Sequence, residues 1–262
     1  MRLGFSAGEK RTILSGRSRH GPLSVQRPFY PEGDVCHVYL LHPPGGVVGG
    51  DGLAIEAHAA SGSRALITTP GATKFYRSAG ETAYQSQTLR VESGAVMEWL
   101  PQENIFFPGA LVELQTRVEL QGDGRLALWE IQCLGRPAVK EVFDQGHIDS
   151  RMEIYRDGRP LVLERLRIDP ASRLQLSSMA GMAVGGTFIV SQAGDEELEN
   201  CREIMAAQGT DHAGATLLDD LLAVRYLGNS TEQARRLFTR VWQQVRGTTM
   251  GRKPCSPRIW AT

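Results

Sequence analysis

Alternation of apolar and polar residues dominates the first two thirds of the chain. The segment LVELQTRVEL (111–120) places every second residue on one mainly apolar face: Val112, Leu114, Thr116, Val118 and Leu120. A period of two predicts a β-strand with one wet face. After a turn at QGDG (121–124), RLALWEIQCL (125–134) is apolar on both faces apart from Glu130 and predicts a more buried strand.

Further strands are predicted on both sides of this pair. VCHVYLLH (35–42) and LAIEAHA (53–59) flank a glycine-rich segment, and MEIYRDGRPLVLERLRI (152–168) predicts a hairpin with Asp157 and Gly158 at its turn.

The pattern changes from strands to helices near Gly194. DEELENCREIMAAQG (195–209) predicts a helix capped by its first aspartate and closed by its last glycine. STEQARRLFTRVWQQVRG (230–247) predicts a second helix with a capping box at Ser230 and Gln233. Its apolar stripe comprises Ala234, Leu237, Phe238, Val241, Trp242 and Val245. Two short strands are expected between the helices, within 215–228.

These elements predict a mainly β fold with two α-helices. Coiled or stacked sheets, solenoid-like or sandwich-like, form a body (1–190), and a small αββα part (191–262) packs on it within one structural unit. The strand content excludes a helix bundle and disfavours a doubly wound parallel sheet. No internal repeat is evident in the sequence.

Composition narrows the class of protein further. The 262 residues carry 29 basic and 29 acidic side chains, and this zero net charge provides no global field for nucleic acid or an anionic membrane. The four cysteines are scattered, which favours a reducing cytoplasm over a disulfide scaffold. The N-terminus lacks the apolar core of a signal peptide, and no segment reaches membrane-spanning length. We therefore expect a cytoplasmic protein.

The segment HPPGGVVGGDG (42–52) raises the question of a phosphate-binding loop. Such a loop runs into a helix and usually carries Lys-Ser/Thr, and neither feature is present here. The context of strand, glycines and strand predicts a rigid connection held close to another backbone, with no bound nucleotide.

Six segments occur in an order that is specific as a set: GPLSVQRPFYPEG (21–33), HVYLLHPPGGVVGGD (37–51), LITTPGATKFYRS (66–78), MEWLPQENIFFPGA (97–110), CLGRP (133–137) and PRIWAT (257–262). Together they closely resemble the urease accessory protein family UreD, called UreH in some bacteria. The resemblance implies a β-rich coiled stack of sheets with two helices. It also implies a non-enzymatic scaffold for maturing urease, whose active site holds two nickel ions.

The resemblance further implies partners and a cargo. Family members dock on apo-urease, bind the helical accessory protein UreF and, through it, recruit the nickel-carrying GTPase UreG. An internal passage is expected to lead nickel into urease, so nickel is in transit and no cofactor is permanently bound. The six dispersed histidines fit transit better than storage, because a protein that passes nickel on must not hold it tightly.

Three acids are candidates for this passage. Glu164 shares an otherwise apolar strand face with Val162, Leu166 and Ile168, Glu130 interrupts a buried strand, and Asp51 closes the glycine segment. A buried carboxylate must be paired, protonated or associated with a metal, and the resemblance places all three acids at positions that the family uses for acids. Less favoured are Glu98, Glu103, Glu141 and Glu153.

Other interpretations of these acids stay open. Glu164 or Glu130 would equally serve in a salt bridge with an arginine such as Arg136, and Asp51 would serve as the cap of its own turn. A different class of protein, a metal-dependent hydrolase, would use Asp51, Glu130 and Glu164 around a fixed ion, although no paired histidines support it. A nucleotide-binding protein is a third alternative, weakened by the missing lysine motif.

Partner contacts are expected at the C-terminus. The candidates are Trp242 on the second helix and Arg258 and Trp260 in PRIWAT (257–262). Tryptophan is enriched at interface hot spots. Removal of the last six residues is expected to weaken association with the helical partner more than it lowers stability.

Overall fold

The computed structural model describes residues 1–209 and 212–261, and within these ranges the chain forms seventeen strands and two α-helices. The strands are β1 (Arg2–Ala7), β2 (Thr12–Ser18), β3 (Ser24–Val25), β4 (Cys36–Leu41), β5 (Gly52–Ala59), β6 (Arg64–Thr68), β7 (Thr73–Phe75), β8 (Ala83–Val91), β9 (Val96–Trp99), β10 (Asn104–Phe106), β11 (Leu111–Leu120), β12 (Arg125–Leu134), β13 (His147–Arg156), β14 (Arg159–Ile168), β15 (Val184–Val190), β16 (Ala213–Leu218) and β17 (Leu221–Gly228). The helices are α1 (Asp195–Gln208) and α2 (Thr231–Thr249).

The strands form two large sheets. The first sheet has the order β14-β13-β11-β8-β5-β1-β2, and the second has the order β16-β17-β15-β12-β9-β6-β4-β3, with β10 and β7 attached to it. From β4 to β13 the chain passes repeatedly from one sheet to the other, so successive strands of each sheet pair in parallel. The prediction of coiled, stacked sheets with two helices is confirmed.

A short third side closes the coil where the glycine-rich segment lies. Val47 forms an isolated parallel bridge with Phe75, and Phe75 pairs in turn with Phe106. All three side chains are fully buried, and the two phenylalanine rings stack at 5.2 Å. The coil therefore has a triangular section, and apolar side chains from successive turns line its corner.

The coil is a structural repeat that the sequence does not reveal. Arg64, Val96 and Arg125 are register partners in adjacent strands, at intervals of about 30 residues. The expectation of no repeat was wrong for the structure, because equivalent positions share burial and turn chemistry rather than residue identity.

Tight turns stack along the opposite edge of the coil. An acid in each turn accepts a backbone N–H from the turn before it. Asp123 Oδ1 accepts from Gly94 N at 2.7 Å, and Asp157 Oδ1 accepts from Gly122 N at 3.0 Å. Both glycines have positive φ, which residues with a Cβ adopt only at a cost.

Apolar side chains form two layers of core. One layer fills the space between the sheets, and the other lies between the second sheet and the helices. The expected apolar stripe of α2 is buried throughout, and it packs on β12, β15 and β17. The alternation of 111–120 is also confirmed, since its five apolar-face residues are all buried.

Some element boundaries differ from the predictions. The hairpin extends over 147–168, and its turn residues Asp157 and Gly158 both have positive φ, as a two-residue hairpin turn requires. The cap of α1 is Gly194, not Asp195, because the third helical residue, Glu197, reaches back and accepts the Gly194 N–H at 2.8 Å. Ser230 caps α2 as predicted, but the helix continues beyond Gly247 to Thr249.

The division into a body (1–190) and a C-terminal part (191–262) stays a prediction. β15, which ends at Val190, pairs with β12 on one side and β17 on the other, so the second sheet is continuous across the proposed boundary. None of the helices in the described ranges is long and apolar enough to cross a membrane.

Candidate functional site

The site centres on Glu130, whose side chain enters the space between the two sheets. Alternation along β12 places Leu126, Leu128, Glu130 and Gln132 on this inner face. The intervening residues face the helices: Ala127, Trp129, Ile131 and Cys133. The Thr116 hydroxyl, from the facing sheet, donates to Glu130 Oε1, and Gln132 Nε2 donates to Oε2 at 3.4 Å. Glu130 is thus hydrogen-bonded by neutral groups.

Further polar side chains extend this contact into a row across the interior. Gln87 Nε2 donates to Thr116 Oγ1 at 3.2 Å, and Asn104 Nδ2 donates to Gln132 Oε1 at 3.3 Å. All five residues of the row are less than a tenth exposed. We call Gln87, Thr116, Glu130, Gln132 and Asn104 the polar row. Hydrogen bonds within the row offset the cost of burying these polar groups, and the row leaves a carboxyl group inside the protein.

Burial, with a smaller contribution from the charge of nearby Glu164, raises the pKa of Glu130 to about 7 against the opposing hydrogen bonds from Thr116 and Gln132. No described arginine, lysine or histidine forms an ion pair with Glu130, so the salt-bridge interpretation does not apply to this residue. Its carboxyl group is poised near neutrality between its protonated and ionised forms. A cation that entered the interior would stabilise the ionised form.

Two cavities meet at Glu130. The first, of about 250 Å³, lies under the glycine-rich segment and includes His42, Lys74, Gln85, Gln87, Trp99 and Asn104 in its lining. The second, of about 540 Å³, includes Gln132, Ser150, Met152, Glu164, Thr187 and Arg225. Glu130 lines both cavities. Glu130 is therefore common to the two linings.

Glu164 lines the second cavity and forms an ion pair across it. Its strand face is shared with Val162, Leu166 and Ile168, as predicted. The alternative of a salt bridge at Glu164 is present, but its partner is Arg225, which binds both carboxylate oxygens. The suggested partner, Arg136, pairs instead with Glu141 in the 136–141 turn. Sequence reasoning missed Arg225 because pairing between sheets leaves no local pattern.

Asp51 caps its own turn. Its Oδ2 accepts the Val48 N–H at 3.1 Å, and the residue is exposed. Burial lowers the pKa of His42, and the charge of Asp51 opposes this shift. Asp51 is not part of the lining of the first cavity. Its charge acts on that cavity through His42, which is a lining residue.

The structure brings two of the three predicted acids to one cavity and leaves the third outside. Glu130 and Glu164 share the second cavity, and Asp51 belongs to the glycine-rich segment. Within residues 1–209 and 212–261, no group of three or more His, Cys, Asp or Glu side chains is placed to hold a metal ion. This arrangement gives no support to the hydrolase alternative built on these acids.

The glycine-rich segment has the predicted form of a close strand-to-strand connection between β4 and β5. Val47 N donates to Lys74 O at 2.7 Å, and Tyr76 N donates to Val47 O at 2.9 Å. A Cβ at Gly46 would lie 2.5 Å from the Tyr76 ring, so glycine is required there by close approach. The absence of nucleotide binding stays a prediction.

The three predicted partner residues have different surroundings. Trp242 is fully buried and donates its indole N–H to Glu98, so its ring is part of the core in the isolated chain, and its role in partner binding stays a prediction. Trp260 is half-buried rather than exposed: its ring lies 5.2 Å from Trp129 and 5.5 Å from Trp242. Of these three residues, Arg258 is the exposed one.

Arg258 lies in a basic surface groove that sequence reasoning did not identify. The groove, of about 450 Å³, runs between α2 and the C-terminal segment, and four arginines line it: Arg235, Arg236, Arg240 and Arg258. Arg236 pairs with Glu232, whereas Arg240 and Arg258 form no ion pair with the described residues. The spacing of four residues between Arg236 and Arg240, which places both on one side of α2, is the sequence feature that could have indicated this groove.

Fold and site together define a mainly β protein whose coiled sheets enclose an acid-containing polar row between two cavities. The chain belongs to the UreD urease accessory protein family, whose model matches residues 1–261. It is 51% identical over 254 residues to the urease accessory protein UreD of Alcanivorax borkumensis, covering 96% of this chain and 86% of that protein. It is 47% identical to UreD of Pseudomonas entomophila, covering 100% and 93%, and 45% identical to UreD of Klebsiella aerogenes, covering 99% and 95%.

Proposed function

We propose that this chain is a non-catalytic scaffold in urease maturation, which docks on apo-urease and gives nickel a route between its two sheets. Family membership supports the role in maturation. The observation that carries the route is the meeting of two cavities at one buried carboxyl group, Glu130, which has no cationic partner among the described residues.

The chemistry of the polar row suits a cargo that must leave again. A divalent ion entering a low-dielectric interior loses its hydration, and carboxylate and amide oxygens offset part of that cost. Hard oxygen donors hold nickel less firmly than imidazole or thiolate groups do. Glu130 with the amides of Gln132 and Asn104 thus offers a step on a path rather than a store.

We also propose that the C-terminal surface binds the accessory protein UreF and, through it, UreG. The basic groove around Arg258 supports this assignment, because two of its arginines lack an ion-pair partner in the described part of the chain. An acidic segment of the partner would complete those charges.

The test replaces Glu130 with glutamine, which keeps the shape of the side chain and its capacity for hydrogen bonds. Glu130→Gln protein is expected to fold and to join the urease complex, while the urease it produces contains less nickel. Complex yield and nickel per urease are measured on the same preparation, with Glu113→Gln, on the outer face of β11, as the matched control. Full nickel loading by Glu130→Gln at native complex yield contradicts the route.

A further inference from the structure

Arg225 and Glu164 join the two sheets where the second cavity lies. Arg225 belongs to β17 in the second sheet and Glu164 to β14 at the edge of the first. Arg225 Nη1 donates to Glu164 Oε2 at 3.1 Å, and Nη2 donates to Oε1, so the guanidinium engages both carboxylate oxygens. Arg225 is half exposed and Glu164 less so, which places the pair at the outer side of this cavity.

Strand register puts this ion pair on the same line as Glu130. In the second sheet Glu130 is paired with Thr187, and Thr187 with Arg225. In the first sheet Thr116 is paired with Met152, and Met152 with Glu164. The inner contact and the outer ion pair therefore lie two strands apart, at about 10 Å from each other. Arg225 Nη1 also donates to Thr187 Oγ1 at 3.2 Å, on the line between them.

The two acids of this line differ in one respect that matters to a cation. Glu130 faces only neutral hydrogen-bond donors, whereas Glu164 is neutralised by a bidentate guanidinium. A divalent ion approaching Glu164 meets a fixed positive charge and finds both oxygens engaged. The same ion would bind readily to this carboxylate if the guanidinium moved away. Arg225 can make such a movement because its side chain is long and half exposed.

From this geometry we infer that Arg225 gates the second cavity: it is a positioning residue that withholds Glu164 from divalent cations until its guanidinium leaves the carboxylate. The inference rests on the proposed nickel route and adds the residue that regulates it.

The experiment measures nickel binding by the isolated full-length protein, so that it reads the competition at Glu164 without urease. Arg225→Gln is expected to bind nickel about tenfold more tightly than the native chain or better, since a unit positive charge beside the carboxylate is removed. The double variant Arg225→Gln/Glu164→Gln is expected to lose this gain. Equilibrium dialysis with nickel chloride gives the binding, and thermal unfolding verifies that each variant is folded.

Arg202→Gln is the matched control, because Arg202 has nearly the same side-chain exposure as Arg225, 53% against 51%, and its ion pair in the described part of the chain is with Glu199 on the surface of α1. If Arg225→Gln does not fold, Arg225→Lys replaces it and is expected to give a smaller gain, since one ammonium group does not hold both oxygens. No gain in a folded Arg225 variant, an equal gain in Arg202→Gln, or a gain that survives in the double variant overturns the gate. Nickel loading by Glu130→Gln tests the route separately, so a failed gate and a failed route give different results.

Discussion

The indole N–H of Trp242 donates to Oε2 of Glu98 at 2.6 Å, and both side chains are buried between α2 and the second sheet. The same carboxylate accepts from Arg246, whose guanidinium also binds Glu32 at 2.5 and 2.8 Å. Burial by itself lowers the pKa of Arg246, but the hydrogen bonds that it donates to Glu32 and Glu98, together with the negative charges of these acids, outweigh burial and raise the pKa. This network ties the C-terminal helix to β9 and to the segment before β4.

Arg246→Met is expected to destabilise the protein strongly. It leaves Glu98 and Glu32 in the interior without their cation, and breaking a buried pair in this way costs about 3–5 kcal/mol. Urea denaturation measures the free energy of unfolding. The control is Arg236→Met on the same helix, where an exposed pair with Glu232 contributes about 0.5 kcal/mol or less. Equal losses in the two variants would contradict the buried network as the anchor of α2.

Glu130 should make stability fall as pH rises through the neutral range. Burial raises its pKa in the folded protein from 4.5 to about 7, so between these values the folded state keeps a proton that the unfolded state has released. A raised carboxyl pKa thus gives stability that is present at low pH and is lost above about 4.5, at up to about 1.4 kcal/mol per pH unit until pH 7.

Glu130→Gln removes this titration. Its free energy of unfolding is therefore expected to fall less between pH 5 and 7 than that of the native chain, with the difference of slopes measured by urea denaturation at several pH values. Glu113→Gln, with an exposed carboxyl group, is the control. Parallel pH profiles for native and Glu130→Gln proteins would show that the carboxyl group is solvated.

Local pattern was enough for most of the architecture. Strict alternation in 111–120 predicted β11 with its correct inner face, including Thr116. The nearly continuous apolar run in 125–134 predicted β12 as a buried strand but not the face on which Glu130 lies. α2 followed from its cap Ser230 and its apolar stripe, and α1 from its acidic first turn and closing glycine, although its cap is Gly194 and not the predicted Asp195. These features depend on periodicity within one segment, which a single sequence contains in full.

The unpredicted parts of the site depend on pairing between distant segments. Arg225 meets Glu164 from another sheet, 61 residues away, and Arg246 meets Glu98 at a separation of 148. No local period encodes such contacts. Thr116 lies on the predicted apolar face of its strand, but its joining with Glu130 and Gln132 into one row required the register of the two sheets.

The glycine-rich segment should tolerate a methyl group at one position and not at the next. A Cβ at Gly46 would lie 2.5 Å from the Tyr76 ring and 2.7 Å from Lys74 O, whereas at Gly45 the nearest atom is 3.7 Å away. Gly46→Ala is therefore expected to cost about 1–3 kcal/mol through overpacking, and Gly45→Ala much less. Thermal unfolding compares them. Equal stability of the two variants would mean that the segment is not held against β7 and Tyr76, the residue after it. Saturable GTP binding by native protein would refute the connection as its only role.

The C-terminal tail offers a separation of packing from partner binding. Trp260 packs on Trp129 and Trp242 and donates its N–H to Thr68 Oγ1 at 3.0 Å, so Trp260→Ala is expected to lower the free energy of unfolding by about 2–3 kcal/mol, somewhat less than for a fully buried tryptophan. Removal of the last six residues, which include Trp260, is therefore expected to lower the free energy of unfolding more than the sequence analysis predicted. Arg258→Ala, an exposed change in the basic groove, is expected to alter stability by about 0.5 kcal/mol or less.

Arg258→Ala should instead weaken binding of UreF at least about fivefold, as expected of an arginine near an interface hot spot. Titration calorimetry with purified UreF measures the affinity, and Arg202→Ala on the exposed face of α1 is the control for loss of a surface charge. A native affinity in Arg258→Ala, together with a loss in Trp260→Ala that only follows its unfolding, would remove the basic groove from the partner surface. A loss of affinity in Arg258→Ala at native stability, with no such loss in Arg202→Ala, would place the partner's acidic groups against α2 and the C-terminal segment. The reason is that the charge removed from Arg258 faces a groove lined by three further arginines.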